Sequence, residues 1–112
     1  MKTIVTIPAN NEEATIGQVI DRVNFFFRDN NITDHAIVVV DDGSTDKTVQ
    51  IAREKGAIVV SNPKKLGLAE TFRTEINICL ANNADVIVHI DADGQYSPLE
   101  IPLLLKQIES GY

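Results

Sequence analysis

Asp91 and Asp93 stand two apart, with Ala92 between them and Gly94-Gln95 after them. On an extended backbone that then turns, this spacing offers two carboxylates to one hard divalent ion. Oxygen donors of this kind suit Mg²⁺ or Mn²⁺. Asp41-Asp42 and Glu12-Glu13 add acid at two other points along the chain. Two carboxylates ~4 Å apart repel by about 4 kcal/mol at an effective dielectric of roughly 20, so a cluster built from these segments calls for a cation. A metal with only two or three protein ligands keeps open positions. A diphosphate can fill them, and the cation then offsets its charge as a leaving group. The sequence has neither a P-loop nor a Gly-rich dinucleotide fingerprint, which leaves the metal as the main device for holding phosphate. The Asp91 segment is not an EF-hand loop, because Tyr96 stands where that loop needs Gly and Pro102 where it needs Glu.

The elements that must position these acids alternate between strand and helix. Thr3 to Ile7 reads as a buried strand. Asn10 with Glu13 has the spacing of a capping box. Ile16, Val19, Ile20, Val23, Phe26 and Phe27 then recur at helical spacing, predicting a helix to about Arg28 that Asp29-Asn30-Asn31 ends. Ala36 to Val40 is a strand covered on both faces. Ser44 or Thr45 is placed to cap the next helix and Gly56 to close it. Ala57 to Val60 is a third strand, broken by Asn62-Pro63. Leu68, Ala69, Phe72, Ile76, Cys79 and Leu80 form one helical face, and Asp85 to Ile90 is a fourth strand. Ser97-Pro98-Leu99-Glu100 starts a further helix, which Pro102 distorts early.

This alternation predicts an α/β fold: a Rossmann-like, mostly parallel sheet with helices on both faces. Ligands of such sheets bind beyond the carboxyl ends of the strands. Three polar groups fall there: Pro8 to Glu12, Asp41-Asp42, and Asp91 to Gln95.

With 112 residues the chain suits one domain, 1–112, and the 44% apolar and 23% charged composition is that of a soluble globular protein. A net charge of −6, without a Lys/Arg cluster, argues against a nucleic-acid partner. The single Cys79 excludes an intrachain disulfide and a cysteine-based zinc site. The N-terminus turns polar too soon for a signal peptide, and no stretch reaches the ~20 apolar residues of a membrane span. The expectation is a soluble cytoplasmic domain.

Four segments together resemble family 2 glycosyltransferases of the GT-A fold, and most closely the polyprenyl-phosphate sugar transferases such as dolichyl-phosphate mannose or glucose synthases. They are Ile7-Pro8-Ala9-Asn10-Asn11-Glu12-Glu13, Val39-Val40-Asp41-Asp42-Gly43-Ser44-Thr45-Asp46, Lys65-Leu66-Gly67-Leu68 and Asp91-Ala92-Asp93-Gly94-Gln95. Each is weak alone, but the four in order are specific, and they cover nearly the whole chain. The resemblance implies that a UDP- or GDP-sugar binds through Mg²⁺ or Mn²⁺ and that the sugar passes to an acceptor such as a polyprenyl phosphate at the membrane surface. Pro8, Ala9 and Glu12 would hold the nucleoside, with Glu12 on the ribose hydroxyls. Asp42 would accept from the base, and Asp41 would support the loop. Asp91 and Asp93 would bind metal and diphosphate, making Asp93 the catalytic residue, with Gln95 a further metal ligand. Lys65 or Arg73 would face the diphosphate. Asn10 departs from the pattern, since the family usually has an aromatic or larger residue there. The pattern also runs on, past the position of Tyr112, into an acceptor-binding half. The chain is therefore expected to be the nucleotide-sugar-binding part, inactive by itself, and self-associating through an exposed sheet edge or face.

Plainer readings stand beside these. Asp41-Asp42-Gly43 and Asp91 to Gly94 suit turns. Glu12 and Glu13 suit a first helical turn, and Gln95, Lys64, Lys65 and Arg73 suit a solvated surface. His89 reads as a hydrogen-bonded core histidine rather than a metal ligand, His35 as a surface residue and Cys79 as inert core. A nucleotide-binding module without catalysis is the rival function. A phospho-receiver is disfavoured, because its acidic pair follows the first strand, where Pro8-Ala9 stands here.

Overall fold

A computed structural model describes residues 2–90 and Ala92. The order is β1 (Thr3–Ala9), α1 (Ile16–Asp29), β2 (His35–Asp42), α2 (Thr48–Glu54), β3 (Ile58–Asn62), α3 (Leu68–Ala81) and β4 (Val86–His89). The strands form a parallel sheet in the order β3-β2-β1-β4. The chain winds outward from β1 to β3, then crosses back to β4. Right-handed crossovers therefore put α1 and α2 on one face and α3 on the other.

The cores follow the strand alternation. Val5, Ile7, Ile37, Val39, Val86 and Val88 pack with the buried residues of α1 and with Ala52 of α2. Ile4, Val38 and Val40 turn the other way, to Cys79 of α3. Every residue of the periodic set in α1 is buried, as its spacing predicts. The three described helices end alike. Asn31, Gly56 and Asn83 take positive φ just past the last turn. The following residue then bonds back five positions, as in Ala57 N to Ala52 O, which closes a Schellman motif.

The strands β1 and β2 run two residues beyond their expected ends, because the ladder continues through Pro8↔Val40 and Ala9↔Asp41. Pro8 fits because Ile90 N donates to Thr6 O, so its own nitrogen faces the β4 side. There it lies past the last β1–β4 pair, Thr6↔His89, and costs no ladder bond.

Five expectations are corrected. Asn10 and Glu13 do not cap α1, which begins at Ile16. Ser44 and Thr45 do not cap α2, which begins at Thr48. The buried residues of α3 are Thr71, Glu75 and Cys79, while Leu68 and Leu80 are exposed. The helix is thus turned about one residue step, roughly 100°, from the apolar stripe. His89 is exposed rather than core. It lies on the α3 face of β4, with its ring edge-on to Phe72 and its Nδ1 3.3 Å from Oε1 of Glu75. His35, expected at the surface, is half-buried and stacks on Phe27 with ring centroids 4.4 Å apart.

Candidate functional site at the strand tips

The loop after β1 and the loop after β2 are joined by side chain to backbone bonds. Asn10 Nδ2 donates to Asp42 O at 2.7 Å, and Asn11 N donates to Ser44 Oγ at 2.8 Å. Asn11 Oδ1 accepts from Thr45 N at 2.8 Å, and Thr48 Oγ1 accepts from Glu12 N at 2.8 Å. Two further bonds complete the set: Asp46 Oδ2 accepts from Glu13 N, and Glu13 Oε2 accepts from Lys47 N. Residues with the chemistry of helix caps serve here as a latch between loops. Asp46 also accepts from Thr48 N at 2.9 Å. Burial alone would raise its pKa, but these bonds outweigh burial and hold it below its ordinary value.

The two adjacent aspartates point to opposite faces, as neighbours in a strand must. Asp41 closes its own turn by accepting from the N–H and hydroxyl of Ser44. Asp42 reaches across to the segment before α3. Its Oδ1 accepts from Asn62 Nδ2 at 2.9 Å and Leu66 N at 2.7 Å, and its Oδ2 from Gly67 N at 3.0 Å. Burial pushes the Asp42 pKa up. The bonds from Leu66, Asn62 and Gly67 and the charge of Lys65 together more than reverse this, so the carboxyl stays below its usual range and ionised at neutral pH. Gly43 makes the approach of the two segments feasible. Its φ is +77°, and a Cβ there would lie 2.7 Å from Lys65 N.

A cleft of about 330 Å³ opens between these loops and α3. Pro8, Ala9 and Leu68 give it apolar walls, and Asn10, Glu12, Asp42, Lys65 and Thr71 supply polar groups. Ala92 also lines it, and its carbonyl accepts from Thr15 Oγ1 at 2.6 Å. The cleft thus lies at the switch point between β1 and β4, where open α/β sheets bind ligands. Of the expected site residues it gathers Pro8, Ala9, Glu12, Asp42 and Lys65. Asp41 lies behind the loop. Arg73 is absent from the lining, with its guanidinium exposed and 3.6 Å from Glu70. Asp91, Asp93 and Gln95 lie outside the described residues.

Sequence reasoning passed over Thr71, Glu75 and Asn62, and read Asn10 as a cap and as a departure from the family pattern rather than as a polar group of the site. Polar residues at i and i+4 inside an apolar helix pattern, Thr71 and Glu75, were the available signal for the inner face of α3. Asn62 was read only as a strand breaker. Among the described residues no group of three or more His, Cys, Asp or Glu could hold a metal. Ala92, flanked in sequence by Asp91 and Asp93, nevertheless sits in the cleft wall.

Residues 4–112 match the family model described as Glycosyl transferase family 2. The chain belongs to this family. It is 39% identical to the low-salt glycan biosynthesis hexosyltransferase Agl6 of Haloferax volcanii, over 96% of this chain and 24% of that protein. It is 31% identical to the polyprenol monophosphomannose synthase of Mycolicibacterium smegmatis, over 98% of this chain and 42% of that one. The glucosyl-3-phosphoglycerate synthase of Mycobacterium tuberculosis, solved with Mn²⁺ and UDP-glucose, superposes with a TM-score of 0.77 at 34% identity, covering 98% of this chain and 40% of that one. Across the first curated relatives the chain spans 24–46% of their length. The expected α/β architecture, a parallel sheet with helices on both faces, is the one observed. No described helix is long and apolar enough to cross a membrane.

Proposed function

We propose that this chain forms the nucleotide-sugar-binding part of a glycosyltransferase. It would take a UDP- or GDP-sugar with Mg²⁺ or Mn²⁺, and the whole enzyme would pass the sugar to a polyprenyl phosphate at a membrane surface. One observation carries the reading. A single cleft at the strand tips brings Pro8, Ala9, Glu12, Asp42 and Lys65 together with Ala92, the residue between Asp91 and Asp93. The similarity to proteins that bind UDP-glucose with Mn²⁺, or that act in polyprenol monophosphomannose synthesis, supports it.

The roles follow from the chemistry of each group. Pro8 and Ala9 offer a flat apolar wall for the nucleoside, and the Glu12 carboxylate suits the ribose hydroxyls. Asp42 is ionised and acceptor-only, with one of its roughly four lone-pair positions left after three protein bonds. It suits an N–H of the base and repels phosphate. Asp41 holds the loop that carries it. Lys65 is the cation among the described residues of the cleft lining and is assigned to the diphosphate. Asp91, Asp93 and Gln95 would hold the divalent ion, which when bound offsets the charge of the departing diphosphate. A phosphate acceptor is largely ionised at neutral pH and needs little help from a base. Arg73 is set aside from this assignment because it pairs with Glu70 away from the cleft.

Calorimetric titration of UDP and GDP with Mn²⁺, and again with EDTA, tests the reading. At least one nucleotide should bind with Mn²⁺, and affinity should fall at least tenfold in EDTA or in Asp91→Asn and Asp93→Asn. If neither nucleotide binds in the presence of Mn²⁺, the proposal fails. Sugar-transfer assays on the same preparation distinguish a binding module from an enzyme.

A further inference from the structure

Thr71 is 1% exposed, and its hydroxyl oxygen has no hydrogen-bond partner among the described residues. Its neighbour Thr74, on the same helix, satisfies its own hydroxyl by donating to Glu70 O at 3.0 Å. The lack of a partner at Thr71 is therefore not imposed by helical geometry. A buried hydroxyl left unsatisfied is a standing cost, so such groups in a folded protein are normally matched by a bound partner. Thr71 also lines the cleft assigned above to the nucleotide.

We propose that the Thr71 hydroxyl hydrogen-bonds the base of the bound nucleotide and helps to set which base is accepted. This rests on the nucleotide reading of the cleft. The surroundings of Thr71 decide which part of the ligand it meets. Gly67 gives its N–H to Asp42 and its carbonyl to the N–H of Thr71, so Thr71 stands one helical turn from the Asp42 carboxylate. Glu75, buried, lies one turn further along the same face. The ionised Asp42 carboxylate beside the hydroxyl disfavours diphosphate on this stretch of wall. A neutral ring edge is favoured there instead. Asp42 can only accept, whereas a hydroxyl can also donate. The pair matches an edge with an N–H next to a carbonyl, as in uracil or guanine. Cytosine carries its donor on the exocyclic amino group and its acceptor on the ring nitrogen, so it meets the same pair only from a shifted position.

The test uses the full chain with Mn²⁺, titrated with UDP, GDP, CDP and inorganic pyrophosphate. The variants are Thr71→Val, which keeps the shape and removes the hydroxyl, and Thr71→Ser, which restores the hydroxyl. Thr71→Val should weaken the preferred nucleotide about tenfold, leave pyrophosphate unchanged and narrow the preference over CDP. Thr71→Ser should recover most of the affinity. The ligand-free melting temperature of Thr71→Val should equal or exceed that of the wild type, because no protein bond is lost. Unchanged nucleotide affinity in Thr71→Val, or an equal loss for pyrophosphate, would overturn the inference while leaving the nucleotide reading intact. A lower ligand-free melting temperature would also overturn it, since the hydroxyl would then have a partner within the protein. If the wild type binds pyrophosphate but no nucleotide, both fall together.

Discussion

Asp42→Asn removes one charge and almost no volume, and the structure sets its cost. In the wild type, three donors converge on the carboxylate: Asn62 Nδ2, Leu66 N and Gly67 N. An amide keeps one acceptor oxygen and turns a donor NH₂ toward the N–H that faced the other. With the oxygen in the place of Oδ1, the Gly67 N–H loses its partner. The two remaining bonds also lose their charge assistance. A hydrogen bond to a charged group contributes about 1.5–3 kcal/mol, and a stranded buried donor costs about as much. The expected loss is about 3 kcal/mol, or roughly 10–20 °C in melting temperature for a domain of this size. Thermal unfolding followed by circular dichroism at pH 7 measures it. The pH dependence provides an independent check. Asp42 has a folded-state pKa below its ordinary value of 3.8. Its contribution is therefore complete above the unfolded pKa and disappears as pH falls through the folded one. The gap between wild type and Asp42→Asn should be widest near neutrality and close progressively below about pH 4. A variant within about 0.5 kcal/mol of wild type at pH 7, or a gap that does not depend on pH, would refute the assignment of Asp42 as the anchor of the segment before α3.

Gly43→Ala should destabilise the fold by about 2–4 kcal/mol, from left-handed backbone strain and the forced separation of two backbones now in contact. Urea unfolding reads this directly, and an unchanged midpoint would count against the close approach of Gly43 to Lys65. Asn11 combines a positive φ with the bond to Thr45 N, so Asn11→Ala should cost about 1–2 kcal/mol. Asn11→Gly should recover the backbone share but not the bond. Equal stability of the Ala and Gly variants would show that φ at this position carries no strain.

Local pattern was enough for much of this molecule. The spacing from Ile16 to Phe27 predicted both the helix and its buried face. The β-branched run at Ala36 to Val40 predicted a strand covered on both sides, and Gly56 predicted the end of α2. The site was legible in outline because parallel strands must deliver their carboxyl ends to one edge. That rule brought Pro8, Ala9, Glu12 and Asp42 together before any coordinates. Lys65 could be suspected from resemblance alone, and Arg73 with equal reason, yet only Lys65 reaches the cleft.

What the sequence by itself determined was periodicity and order: which segments are strands, which are helices, and which acids end the strands. Tertiary structure decided everything that depends on a choice among equivalent partners. The side chains of Asn10, Glu13, Ser44 and Thr45 can cap a helix or bridge two loops with the same chemistry. The distance between the loops after β1 and β2 makes the choice. The rotation of α3 was decided in the same way. Its apolar stripe and its Thr71-Glu75-Cys79 stripe lie side by side on one helix and share Cys79, and the packing of Ile78 together with Cys79 against Ile4, Val38 and Val40 selects which one turns inward. Short-range spacing is encoded residue by residue, whereas the partner across a cleft is set by the sum of packing over the whole sheet.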